Sequence, residues 1–230
     1  MIMNYWWQLS LLIMISYFVG NFSTAIFISG KFKHSDIREL GSKNPGTTNM
    51  ARVFGFKFGL ATFATDFFKG LVCVLAGRLI FSGGMGMQLT QSMTGLGSGG
   101  EAIGLFAGYS AGLAVILGHN YPVLLGFKGG KGFAAGIGVF IAVNPVATLI
   151  LLFLGVILLF ITDRMSVFAL AFFAAEAAYL TVVYSKDVWW IPAFACTYLV
   201  LAVIAHWPNI RRLAHGEEKA LGLRKHLKGT

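Results

Sequence analysis

Charge is scarce in this 230-residue chain. Asp, Glu, Lys and Arg together make up 12% of it, against roughly 25% in soluble domains, and that shortage excludes an ordinary water-soluble globule. Acidic residues are the rarer sign, 9 against 18 basic, for a formal net charge of +9. Cysteine is nearly absent: Cys73 and Cys196 lie in apolar stretches with no second cysteine or histidine at metal-ligand spacing, so both read as packing residues. No carboxylate cluster suggests a metal either, because Asp36 and Glu39 stand amid Arg38 and Lys43 without further oxygen ligands. No cofactor is expected. There is no internal repeat, and no basic segment precedes the first apolar run, which is therefore read as a span and not as a signal peptide.

What the chain has instead is apolar length. Hydrophobic residues make up 57% of it and the mean hydropathy is +0.74. A helix needs about 20 apolar residues to cross the hydrocarbon layer. Uncharged runs cover Met1 to Gly30, Ala102 to Phe127 and Gly132 to Thr162, and sparsely charged ones lie around Val53 to Phe81, Met165 to Ser185 and Val188 to Ala205. The run from Gly132 to Thr162 exceeds one ordinary span and contains Asn144-Pro145, a natural place for a helix to end and reverse. Splitting it there predicts an all-α integral membrane protein, a bundle of about seven transmembrane helices forming a single membrane-embedded domain over residues 1–230. Five or six spans are the alternative. Most of the 18 Lys and Arg residues fall in Lys31 to Arg52, Lys128 to Lys131, Arg164 and Arg211 to Lys228. That excess marks their side as the cytosol. The opposite side receives the uncharged loop from Ser82 to Gly100 and the short turn Ser185 to Asp187.

Three of the cytosolic segments carry more than charge. In "SDIRELGSKNPGTTNMAR", Ser35 to Arg52, Gly41, Gly46, Ser42, Thr47, Thr48, Asn44 and Asn49 crowd a turn flanked by Arg38 and Arg52. Glycines let backbone N–H groups face inward, hydroxyls and amides add donors, and arginine grips phosphate with a fork. The plain alternative is a polar loop with good turn chemistry. In "GHNYPVLLGFKGGKG", Gly118 to Gly132, the nucleotide-binding pattern fails because Leu125 and Gly132 stand where it needs Gly and Ser or Thr. ATP and GTP are excluded. The physics that remains is inward N–H groups on Gly129, Gly130 and Gly132, the cations Lys128 and Lys131, and a following helix whose start favours an anion. His119 is a ligand-facing donor or a helix-end polar residue, and Pro122 fixes the turn. In "AHWPNIRRLAHGEEKA", Ala205 to Ala220, His206 and Asn209 would share a helical face, while Arg211, Arg212 and Lys219 are placed to snorkel or meet lipid.

Ionisable residues well inside predicted spans include Asp66, Lys69, Arg78 and Glu176. Such groups are costly in lipid and turn toward partners or cavities. An Asp66–Lys69 ion pair within one helix is the structural reading.

Taken in order, "DIRELGSKNPGTTNMAR", "GHNYPVLLGFKGGKG" and "HWPNIRRLAHGEEK" resemble the three cytosolic motifs of the bacterial acyl-phosphate:glycerol-3-phosphate acyltransferases, the PlsY family. The likeness spans nearly the whole chain, with departures at Lys43, Pro45, Thr47 and Trp207-Pro208. It implies transfer of a fatty acyl group from acyl phosphate to the 1-hydroxyl of glycerol 3-phosphate, giving lysophosphatidic acid and inorganic phosphate in the bacterial cytoplasmic (inner) membrane. The partners it implies are those two substrates and membrane lipid, with no nucleic acid. An acyl phosphate is a mixed anhydride with a good leaving group, so placing and neutralising two phosphates supplies most of the catalysis. By this resemblance Ser42 and Arg52 bind phosphate and stabilise charge, while Asn44, Gly46, Thr48 and Asn49 shape their pocket. Lys128, Gly129, Gly130, Lys131 and Gly132 hold glycerol 3-phosphate, and His206 and Asn209 donate or orient. Glu218, also on the family pattern, is read first as a salt bridge to a loop arginine. A thioester-using acyltransferase marked by His-x4-Asp is disfavoured, since none of the five histidines is followed at that spacing by aspartate. The non-enzyme alternative is a membrane transporter of an organic phosphate; with no repeat and the polar segments on one side, it is the weaker reading.

Overall fold

The computed structural model describes residues 6–82, 100–184 and 188–223, and all regular structure among them is helical. The loop between Ser82 and Gly100 and the turn at Ser185 to Asp187 lie outside the described residues. The chain divides into two compact units, Met1–Val143 and Asn144–Thr230.

In the first unit α1 (Trp6–Asn21) and α2 (Thr24–Lys33) make one interrupted apolar span. Ser23 restarts the helix as its N-cap, with extended backbone and a side-chain oxygen that accepts the Ile26 N–H. The interruption strips the Gly20 and Phe22 carbonyls of helical partners, and the buried Lys69 ammonium donates to both, at 3.3 and 3.1 Å. After the short α3 (Thr47–Phe54) come the long α4 (Phe56–Ser82), α5 (Gly100–Asn120) and α6 (Phe133–Val143). Helices α4 and α6 touch backbone to backbone. A Cβ added at Gly138 would collide with the Phe67 carbonyl, and one at Gly70 with the Ala135 carbonyl. Lipid does not drive apolar helices together, so this close approach of small residues is what packs them.

In the second unit Asn144 caps α7 (Pro145–Thr162) by accepting the Ala147 N–H at 3.4 Å, with Pro145 at the first helical position. Only Thr148 and Gly155 of α7 are buried, and its exposed Val146, Leu149, Ile150, Phe153 and Leu154 present an apolar surface on nearly every side. Such a helix suits lipid, not water. Next come α8 (Met165–Tyr184), α9 (Trp190–Ala205) and α10 (Trp207–Ala214). The last two meet at a 64° bend.

Five helices are long and apolar enough to cross a membrane, or six if the bent pair counts as one span. The expected seven are not reached among the described residues. Helix α6 has 11 residues, which at 1.5 Å each covers about 16 Å of a hydrocarbon layer about 30 Å thick. The Asn144-Pro145 break does stop the helix, but too early for a crossing.

Candidate active site

The first polar segment is folded over a small apolar core in which Ala25, Ile37 and Met50 are fully buried, with Leu40, Val53, Phe54 and Phe58 against them. Asn49, 1% exposed, clamps the loop. Its Nδ2 donates to the Leu40 carbonyl at 2.9 Å and the Ile37 carbonyl at 3.4 Å, and its Oδ1 accepts the Ser42 N–H at 2.8 Å. Asn49 therefore shapes the loop from beneath. Above it Ser42 and Arg52 are exposed, and Asn44, Gly46 and Thr48 are part-buried. Gly46 is the N-cap of α3 with no side chain to cap it, and beside it the Thr47 Oγ1 is buried without a hydrogen-bond partner among the described residues.

Arg38 joins this loop to the second. Its Nε and Nη2 donate to Asp36 Oδ2 at 3.0 and 2.7 Å, and its Nη1 donates to the Leu125 carbonyl at 3.2 Å. Those side-chain bonds outweigh the effect of partial burial and hold the Asp36 carboxyl below its usual range. Both loops consequently sit at one end of the first unit.

The glycine loop differs from its expected form. The Gly129 N–H donates to the Asn120 carbonyl at 3.3 Å and the Gly130 N–H to the His119 carbonyl at 3.0 Å. These two N–H groups satisfy the last carbonyls of α5, so they do not form an inward anion nest. The glycines serve close packing, since a Cβ on Gly130 would collide with the His119 ring. What the loop presents is the exposed Lys128 and the part-buried Lys131; the buried Gly132, at a φ of +77°, turns the chain into the start of α6. His119 itself is 7% exposed. Its Nδ1 lies 2.7 Å from Lys69 Nζ and 3.5 Å from Asp66 Oδ1, and Lys69 pairs with Asp66 at 2.8 Å. Of its two readings, the helix-end polar residue is the one the geometry gives, and the Asp66–Lys69 pair is present as read.

The third segment lies in the second unit, where His206 occupies the bend before α10 and both it and Asn209 are buried. His206 Nδ1 is 2.9 Å from the Ala202 carbonyl. A carbonyl only accepts, so Nδ1 carries the proton in this bond. Asn209 Nδ2 donates to Glu218 Oε1 at 2.6 Å, Ser166 Oγ donates to the same oxygen at 3.0 Å, and Arg212 Nε donates to Oε2 at 2.9 Å. Burial pushes the Glu218 carboxyl up, yet the bonds from Asn209, Arg212 and Ser166 prevail and hold it below its usual range. Both Glu218 oxygens are engaged by protein groups, so this residue is an anchor, as the salt-bridge reading had it. Sequence reasoning missed Ser166 and the interloop role of Arg38. The close Asp36-Ile37-Arg38 spacing was the only available signal, and nothing near Ser166 pointed to Glu218.

The apolar helices and these loops define an all-α, multi-pass integral membrane protein that carries hydroxyl, amide and cationic side chains at helix ends. The family model described as glycerol-3-phosphate acyltransferase matches residues 10–216, and the chain belongs to that family. It is 38% identical over 223 residues to a glycerol-3-phosphate acyltransferase of Finegoldia magna, covering 96% of this chain and 99% of that one. With a namesake from Alkaliphilus metalliredigens the identity is 36% over 217 residues, at 94% and 97% coverage. Among solved structures, it superposes on the glycerol 3-phosphate form of PlsY, an integral membrane glycerol 3-phosphate acyltransferase, with a TM-score of 0.78, 28% identity and 96% and 98% coverage. For the lysophosphatidic acid form the TM-score is 0.74 at the same identity, with 93% and 95% coverage.

Proposed function

We propose that this acyltransferase moves a fatty acyl group from acyl phosphate to the 1-hydroxyl of glycerol 3-phosphate, releasing inorganic phosphate and lysophosphatidic acid. The hydroxyl oxygen attacks the acyl carbonyl carbon, the bond from that carbon to the phosphate oxygen breaks, and the hydroxyl proton leaves to a nearby base. With a good leaving group the chain needs no covalent intermediate, and orientation contributes roughly 7–11 kcal/mol in favourable cases. The observation that carries this reading is the pair of loops at one end of the first unit. They offer Ser42 on an Asn49-clamped turn, Arg52 on the helix α3 that follows it, and Lys128 and Lys131 on a turn tied to the first through Arg38.

In this reading Ser42 donates to phosphate and Arg52 neutralises it and the charge that develops on it, with Asn44, Gly46 and Thr48 beside them. Lys128 and Lys131 hold glycerol 3-phosphate. His206 Nε2 receives or orients the hydroxyl proton and Asn209 orients a substrate polar group. All 230 residues serve one acyltransferase domain in the bacterial cytoplasmic membrane, with the loops in the cytosol, as the distribution of basic residues favours.

The test is product formation by purified protein in lipid, given glycerol 3-phosphate with either palmitoyl phosphate or palmitoyl-CoA. Lysophosphatidate from the acyl phosphate alone is expected. Product from the thioester, or from neither donor, rejects the reading.

A further inference from the structure

We propose that Asp163 is a positioning residue for the acyl transfer, acting through Glu218 on Asn209; this rests on the orienting role given to Asn209 above. Asp163 ends α7 in left-handed backbone, φ 55°, and is 8% exposed. Its Oδ2 accepts the Gly222 N–H at 3.1 Å, its Oδ1 the Leu223 N–H at 3.0 Å, and its backbone carbonyl the Leu221 N–H at 2.9 Å. Three successive backbone donors of the segment after α10 thus close on one residue. Bonds to an ionised acceptor are stronger than neutral ones, and burial keeps water from competing for them. The segment is latched to the turn between α7 and α8.

Glu218 is held on the stretch between that latch and α10. The chain turns at Gly216 and again at Gly222, both at positive φ. On the α10 side the Glu217 N–H donates to the Arg212 carbonyl at 2.7 Å; on the other side the tether is Asp163. The first turn of α8 adds a second contact, because Ser166 donates to the oxygen that also receives Asn209. The α7–α8 turn therefore grips the returning segment twice, once on backbone and once on Glu218. Loss of the latch leaves the backbone around Glu218 tied on the α10 side only, with Ser166 and Arg212 still on its carboxylate, so the acceptor that sets the plane of the Asn209 amide is no longer held from both ends.

The test uses full-length protein in lipid with glycerol 3-phosphate and palmitoyl phosphate, comparing Asp163→Ala, Asp163→Asn, Glu218→Gln, Asn209→Ala and the Asp163→Ala/Glu218→Gln double variant. Thermal unfolding of each sample gives the folded fraction. Asp163→Ala is expected to lower kcat per folded enzyme about tenfold with KM for glycerol 3-phosphate nearly unchanged, as for an interaction that matters in the transition state. Asp163→Asn, which keeps one acceptor oxygen, falls between. The double variant is no slower than Glu218→Gln alone, because both changes act on one chain of contacts. A normal kcat in Asp163→Ala, or a double variant showing the product of the two single losses, overturns the proposal. Should Asp163→Ala not fold, Asp163→Asn carries the same comparison, alone and with Glu218→Gln. A normal kcat in Asn209→Ala would instead sink the orienting role of Asn209, whereas a low one beside a normal Asp163 variant removes only the latch.

Discussion

Ser42 and Lys128 stand exposed on loops, and Arg52 on α3, supported by buried Asn49 and His119, whereas His206 and Asn209 are buried themselves. In the first unit the groups that meet solvent and the groups that hold the backbone are different residues. In the second, the candidate side chains are fixed in place, Asn209 by a carboxylate and His206 by a carbonyl. The contrast suits two tasks. A phosphate arriving from water needs accessible cations, while a proton or hydroxyl in flight needs a donor or acceptor whose direction does not wander. It also predicts that damage to the two regions reads out differently.

The largest loss belongs to Arg52→Ala. In the role proposed for it, its loss lowers activity roughly 10²–10³-fold, and because the side chain is exposed the unfolding midpoint stays put; retained activity would break the division just drawn. Gly130→Ala comes next and acts from beneath, since its methyl meets the buried His119 ring. Overpacking of this kind costs about 1–3 kcal/mol, so a lowered midpoint in thermal unfolding is expected together with weaker glycerol 3-phosphate binding. Asn49→Ala takes one of two donors from the Leu40 carbonyl, which keeps the Lys43 N–H, and leaves the Ser42 N–H without its acceptor, for about 1–3 kcal/mol; a variant as stable as the parent would show the clamp to be idle. Glu218 sharpens the other half. Its carboxyl is held below the ordinary value of 4.5, so its contribution to stability is complete above that value and vanishes as pH falls through the lower folded one. The midpoint difference between parent and Glu218→Gln should accordingly hold above the ordinary value of 4.5 and close on acidification below it. The smallest effect is reserved for Cys196→Ala, an exposed thiol whose loss changes stability by less than about 0.5 kcal/mol and leaves turnover intact. A large fall in activity there would revive a covalent mechanism.

The three segments were legible because their chemistry is local. Hydroxyls, amides, glycines and cations crowd short stretches between apolar runs, and no fold is needed to see it. Helix positions followed from apolar length for the same reason, and the count fell short at α6, and again at the bent α9–α10 pair if that is not one span, because an apolar run does not disclose whether it crosses or stops halfway. What sequence did not disclose is which groups turn outward. Gly129 and Gly130 looked like anion donors because glycine can turn its N–H anywhere; the carbonyl ends of α5 claim those N–H groups, and that competition exists only once α5 and the loop are adjacent. Lys69 could be paired with Asp66 by spacing, but its bonds to Gly20 and Phe22 depend on an interruption in α1–α2 nearly fifty residues away. Asp163 meets its partners across sixty positions of chain.

The contact of α4 with α6 through Gly70 and Gly138 bears on how this enzyme moves. Where helices meet through side chains, rotamer changes give them play; where they meet through main-chain atoms there is no such cushion, and the pair is close to incompressible. Motion during turnover is then confined to what stands above that joint, and the main-chain amides in the middle of α4 should be the slowest in the first unit to exchange their hydrogens.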